Sequence, residues 1–214
     1  VQVQSQVQGL VDDLKAVFTH AGLAGEAAEY KLLTQSFLYK FLNDKFLYEA
    51  LNIDESYDYQ GLLNLSEEDY DWFLDDIGTK TAHLKPEQLI ESLHRQQNQA
   101  DFAEIFEQTL NQIAIDNNAI FSIHTDGGTD IRLFDQRLIT DTISDTSKRN
   151  EVAASIINLL ARVKFDQQIF SQGFDFFSTL FEYMIKDYNK DGGGKYAEYY
   201  TPHSVAKIIA AILV

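Results

Sequence analysis

The residues best suited to chemistry stand near the C-terminal end of the sequence, where a glycine run leads into Glu-Tyr-Tyr-Thr-Pro at positions 198–202. Thr201 is a good N-cap, because its hydroxyl can accept a hydrogen bond from an unpaired first-turn amide. Pro202 suits the first helical position, where its missing N–H costs nothing. Apolar residues at helical spacing follow, at Val205, Ile208, Ile209 and Ile212. The pattern predicts a helix N-terminus flanked by tyrosines, which is suited to binding an anion.

This segment resembles the opening of the methyltransferase domain in the methylation (M) subunits of type I restriction–modification systems. That family reads Gly, then Gln or Glu, two aromatic residues and Thr-Pro-Arg; here Ala197 replaces the glycine and His203 replaces the arginine. Residues 174–185 resemble the helix that precedes the motif, with Ser178 where glycine is usual. Residues 37–46 are similar to the family's N-terminal Phe-Leu-Lys-x-Leu-x-Asp segment. The order and spacing of the three segments suit that family.

The resemblance implies an enzyme that methylates adenine N6 in DNA with S-adenosylmethionine as its cofactor. The helix N-terminus and the Thr201 hydroxyl suit the α-carboxylate of that cofactor, and an aromatic face suits its sulfonium. The family's catalytic Asn-Pro-Pro-Phe segment is absent, since the only two prolines, Pro86 and Pro202, are not adjacent. We therefore expect no catalytic residue in this chain. The cofactor-binding residues that the resemblance implies are Glu198, Tyr199, Tyr200, Thr201, Pro202 and His203.

The same resemblance implies macromolecular partners. An M subunit works on DNA with a specificity (S) subunit that reads sequence, a restriction (R) subunit that cleaves, and a second M subunit. Its N-terminal helical domain would serve DNA clamping and subunit interaction. The net charge of −16 has the wrong sign for a DNA-binding face, because phosphates are bound mainly by Lys and Arg. We therefore expect other parts of the assembly to supply most of the basic surface.

A rival pattern overlaps the same stretch, because residues 187–198 fit the EF-hand loop Asp-x-Asn-x-Asp-Gly-x₅-Glu. Two features count against calcium: Gly194 replaces the usual apolar residue, and Pro202 would break the exiting helix. The histidines show no ligand spacing, so we expect no metal site. The alternative to the methyltransferase interpretation is a stand-alone helical interaction module with no enzyme attached, or such a module that responds to calcium through residues 187–198. The histidines are His20, His83, His94, His124 and His203.

Composition narrows the class of protein. The sequence has 214 residues, 45 % of them hydrophobic, which suffices for one domain plus part of another. The lack of cysteine excludes disulfides and thiolate metal sites. We expect a cytoplasmic protein, because the lack of cysteine fits one. The sequence contains no run of about 18 apolar residues, so we expect no transmembrane helix. Met184 is the only methionine and the sequence ends within an apolar helix, so we expect a piece of a longer protein.

Helical spacing of apolar residues recurs through most of the sequence. Residues 1–8 are an exception, because they alternate Val with Gln or Ser and predict an edge strand or a frayed end. Residues 126–129, Asp-Gly-Gly-Thr, predict a hairpin turn or a loop. Ser66 begins a capping-box-like helix start. The longest predicted helices cover residues 26–51, 101–115, 147–163 and 167–188.

These patterns predict a mainly α fold with two parts. Residues 1–165 are expected to form a helical N-terminal domain. The resemblance implies that residues 166–214 form the first helices of a truncated α/β S-adenosylmethionine-dependent methyltransferase domain. The catalytic body of that second domain is absent from the sequence.

Overall fold

The computed structural model describes residues 2–121, 133–165 and Phe170. All regular structure in this part of the chain is helical, which confirms the mainly α class. The predicted turn at residues 126–129, the helix over residues 167–188 and the start of the methyltransferase domain lie outside it. A 3-10 turn, Pro86–Gln88, separates two groups of helices. The helices are α1 Gln2–His20, α2 Ala27–Ile53, α3 Tyr59–Asn64, α4 Glu67–Ile77, α5 Ile90–Gln96, α6 Phe102–Asp116, α7 Asn118–Phe121, α8 Leu138–Thr142 and α9 Thr146–Arg162.

Helix α1 begins at Gln2, so the expectation of an edge strand or a frayed end over residues 1–8 is wrong. The alternation of Val with Gln covers only a few residues. A longer apolar stripe at intervals of three and four residues outweighs it, because this stripe is buried in the core. Its members are Val7, Leu10, Val11, Leu14 and Phe18.

Helix α9 is the centre of the bundle and packs against α1, α2, α5, α6 and α8. Its start is capped by Asp145, whose Oδ1 accepts a hydrogen bond from Ser147 N at 3.0 Å. Helix α2 packs against α1, α4, α8 and α9. The longest helix therefore lies beside the central one.

Helix α4 shows the start that its sequence predicts, since Ser66 Oγ accepts a hydrogen bond from Asp69 N at 3.1 Å. Its inner face is held by Phe73, whose ring stands edge-on to that of Phe46 on α2 at 5.7 Å. A 3-10 turn over Pro86–Gln88 precedes α5, which begins at Ile90. None of the helices in residues 2–121 and 133–165 is long and apolar enough to cross a membrane.

Candidate functional site: a buried polar cluster beside the end of α9

The six residues expected to bind the cofactor, Glu198 to His203, lie outside the described part of the chain, as does the calcium-like stretch 187–198. The structure therefore does not test either expectation. What it does describe is two residues that follow the end of α9, Phe165 and Phe170, which we call the exit from α9. Residues 37–46, which carry the N-terminal part of the family resemblance, form the middle of α2 and lie beside this exit.

Three polar side chains of α2 meet on one buried face. Lys40, Asn43 and Asp44 stand three and four residues apart, so they project to the same side of the helix. Only 3, 4 and 9 % of their respective surfaces is exposed. Lys40 Nζ lies 3.0 Å from Asp44 Oδ1 and 2.9 Å from Asp44 Oδ2, and Asn43 Nδ2 donates to Asp44 Oδ1 at 2.9 Å. Because an isolated buried charge is very costly, each charged member requires the other.

The cluster also binds two backbone amides from other parts of the chain. Asn43 Oδ1 accepts a hydrogen bond from Ile90 N, at the first residue of α5, over 2.9 Å. Asp44 Oδ2 accepts one from Phe165 N, beyond the end of α9, over 2.9 Å. The first is an amide that a helix N-terminus leaves unpaired, and the second belongs to a non-helical segment. The cluster therefore fixes both the start of α5 and the exit of the chain.

The electrostatics of the cluster depend on its burial. Burial lowers the pKa of Lys40 from its ordinary value, while the charge and hydrogen bond of Asp44 act in the opposite direction. Lys40 Nζ also lies 5.5 Å from the centre of the Phe165 ring, within cation–π range. Phe165 is thus held twice, through its backbone N–H and through its ring.

A second point of the exit, Phe170, contacts the same helix through its ring. The Phe170 ring lies 5.7 Å from that of Phe41 and 5.3 Å from that of Tyr48. Lys45 Nζ stands 5.6 Å from the Phe170 ring and 5.1 Å from the Tyr48 ring, and is paired with Glu49. Both Phe165 and Phe170 are therefore fixed against α2.

A cavity of about 660 Å³ opens beside this exit, between α2, α3, α5 and the residues after α9. Its wall mixes apolar groups with both signs of charge, including Leu47, Leu51, Glu55, Glu91 and Lys164. Both oxygens of Asp44 are engaged by hydrogen-bond donors, so the cluster provides no free general base. The arrangement therefore serves to hold the backbone in place at Ile90 and Phe165.

Two histidines in the described part of the chain, His83 and His94, form hydrogen bonds within the fold. His83 Nε2 bonds with the carbonyl oxygen of Gly78 at 2.6 Å, and His94 Nε2 bonds with Asn158 Oδ1 at 3.0 Å. Among residues 2–121, 133–165 and 170, no group of three or more His, Asp or Glu side chains is arranged to hold a metal ion.

Sequence reasoning missed the role of the polar cluster. In the sequence, Lys40 and Asp44 stand out only as part of the segment that resembles the family's N-terminal motif. Lys45 and Glu49 form the same kind of pair four residues apart on the same helix, yet both are only partly buried. The spacing alone therefore does not identify the buried pair.

Comparison with protein-family models gives a match in the C-terminal part of the sequence. Residues 172–214 match the family model for N-6 DNA methylases. The matched range begins just after Phe170 and contains residues 198–203. Neither the curated proteins nor the solved structures contain a significant match to this chain. The match supports a relationship between the C-terminal segment and N6-adenine DNA methyltransferases.

Proposed function

We propose that this chain is the N-terminal part of an S-adenosylmethionine-dependent DNA methyltransferase that modifies adenine N6, in the M subunit of a type I restriction–modification system. The observation that carries the proposal is the N-6 DNA methylase match over residues 172–214. This range contains the Glu-Tyr-Tyr-Thr-Pro run at 198–202, which independently has the chemistry of an anion-binding helix start.

In this proposal residues 198–203 line one side of the cofactor site. The donor set fits S-adenosylmethionine, since Thr201 offers a hydroxyl and the helix start offers free amides to a carboxylate. Tyr199 and Tyr200 offer aromatic faces to a sulfonium. The bound cofactor supplies the methyl group, and these residues bind and orient it. The groups that hold the target adenine belong to a catalytic segment beyond this sequence.

The helical domain would serve as the platform on which that catalytic domain is mounted. The bond from Phe165 N to Asp44 and the packing of Phe170 on α2 support this role, because they fix the last described residues before the matched range. The surfaces of the helical domain would contact the S subunit, the R subunit and a second M subunit while the assembly clamps DNA. The charge of −16 leaves most phosphate contacts to those partners.

Methyl transfer from labelled S-adenosylmethionine tests the proposal. The sample is the polypeptide extended through a complete methyltransferase domain and combined with its S subunit. We expect labelled N6-methyladenine after the DNA is digested to nucleosides. The 214-residue chain alone is the control and should transfer nothing, because it lacks the Asn-Pro-Pro-Phe segment. Label on cytosine, or no label with the complete assembly, would contradict the proposal.

A further inference from the structure

Helix α4 has an outer face without a partner in the described part of the chain. Its inner face buries Tyr70, Phe73 and Ile77. On the opposite side Trp72 is 67 % exposed, more than any other large hydrophobic side chain in residues 2–121 and 133–165. The ring borders a shallow depression whose other lining residues are polar, namely Ser66, Glu67, Glu68, Asp71 and Asp75.

Carboxylates surround Trp72. Glu68 and Asp69 lie one helical turn before it, and Asp75 and Asp76 lie one turn after it. All four are exposed, and within the described chain none of them forms an ion pair with a basic side chain. Asp69 has a local role, because Ser66 Oγ donates a hydrogen bond to its Oδ2.

The two aspartates at the end of the helix have no such local role. The last turn of a helix exposes carbonyl oxygens and carries the negative end of the helix dipole. Negatively charged side chains in that turn therefore lower the stability of the helix. Asp75 and Asp76 occupy this position, where no basic residue stands. Helix stability therefore does not explain why aspartates stand at these two positions. Binding of an external cation would explain it.

We propose that the outer face of α4 binds a basic segment of a partner protein, with an Arg or Lys side chain over the Trp72 ring and neighbouring basic side chains paired to Glu68, Asp75 and Asp76. Charge complementarity selects this occupant, since four carboxylates repel nucleic acids and anionic lipid surfaces. Tryptophan is the ring that attracts cations best, and Trp and Arg are the residues on which protein interfaces depend most. This inference does not depend on the proposed methyltransferase activity.

The test uses the 214-residue chain and a fluorescein-labelled 18-residue helical peptide that carries Arg along one face. We expect saturable binding by anisotropy, a shift in the emission of the only tryptophan, Trp72, and weaker binding as salt rises. Trp72→Ala should weaken binding about fivefold or more, while Trp72→Phe keeps most of it. The double variant Asp75→Asn/Asp76→Asn should also weaken binding about fivefold or more.

The matched control is Asp13→Asn/Glu104→Gln, which removes two exposed carboxylates from α1 and α6 and should leave peptide affinity within about twofold. Four results would overturn the proposal. The first is that the peptide does not bind, and the second is that Trp72→Ala binds it like the wild type. The third is that the control weakens binding as much as the α4 variant, which would reduce the effect to overall charge. The fourth is that a peptide with Glu in place of each Arg binds equally well.

Discussion

Two regions of this molecule use the same kinds of side chain in opposite ways. On the inner side of α2, Lys40 and Asp44 are buried, paired and bonded to the backbone of two other segments. On the outer side of α4, Glu68, Asp75 and Asp76 are exposed and have no basic partner in the described chain. The first arrangement serves the architecture of this chain. The second leaves its carboxylates without a basic partner in residues 2–121 and 133–165, as our proposed binding face requires.

The comparison of the two regions shows how to tell charged side chains that serve the fold from charged side chains that are available for recognition. A buried charge must be matched within the fold, because removing its partner leaves a large desolvation penalty. An exposed charge carries no such requirement, so its placement is free to serve solubility or binding. The net charge of −16 therefore says little by itself. What matters is where carboxylates without a basic partner are concentrated and which other side chains lie among them.

The largest effect is expected in the buried cluster. Asp44→Ala should lower the free energy of unfolding by about 3–5 kcal/mol, because it leaves the Lys40 amine buried without a partner. Urea denaturation followed by circular dichroism measures the change. The control is Asp141→Ala, which removes the partner of Arg137 in an exposed pair and should cost about 0–1 kcal/mol. If the two variants were equally stable, the Asp44 cluster would not be a structural anchor.

Alkaline pH should lower the free energy of unfolding through Tyr70, which lies on the inner face of α4. Tyr70 donates its hydroxyl to the carbonyl oxygen of Leu84, and burial, with a further contribution from Glu87, raises the pKa of Tyr70. The native state therefore retains a proton that the unfolded state loses above about pH 10. The stability that this group contributes is complete below that pH and is lost above it, by up to about 1.4 kcal/mol per pH unit.

Denaturation series at several pH values between neutral and strongly alkaline would show this loss for the wild type and a smaller one for Tyr70→Phe. Tyr39 remains as a second source of the same sign, since burial also raises its pKa. An unchanged pH dependence in Tyr70→Phe would mean that the Tyr70 hydroxyl is not held as the structure has it.

The smallest effect is expected on the outer face of α4, with the opposite sign. Asp75→Asn/Asp76→Asn should leave the protein as stable as the wild type or raise its free energy of unfolding by about 0.3–1 kcal/mol for each charge removed. The reason is that both carboxylates stand at the negative end of the helix dipole. Urea denaturation followed by circular dichroism also measures this change in the free energy of unfolding. Destabilisation would show that these aspartates serve the fold and would weaken the case for a binding face.

Much of the helical domain follows from sequence periodicity. The apolar spacing predicted α2, α6 and α9 within a few residues of their bounds, and the Ser66 cap is present as expected. The start of α1 could not be predicted from the Val-Gln alternation, because tertiary burial of Val7 and Leu10 decides it. The Asp44 cluster could not be predicted either, since its partners Ile90 and Phe165 are distant in sequence. The cofactor residues stay a prediction, because they lie outside the described chain.

The central claim is that residues 198–203 hold S-adenosylmethionine in a DNA methyltransferase. Calorimetric binding of S-adenosylmethionine to the polypeptide extended through a complete methyltransferase domain tests it most directly. Thr201→Ala should weaken binding by about 1–3 kcal/mol, through loss of a hydrogen bond to a charged group. Thr201→Ser keeps the hydroxyl and should keep most of the affinity. If Thr201→Ala bound the cofactor like the wild type, Thr201 would be a helix cap only, and the assignment of Glu198 to His203 to the cofactor site would be wrong.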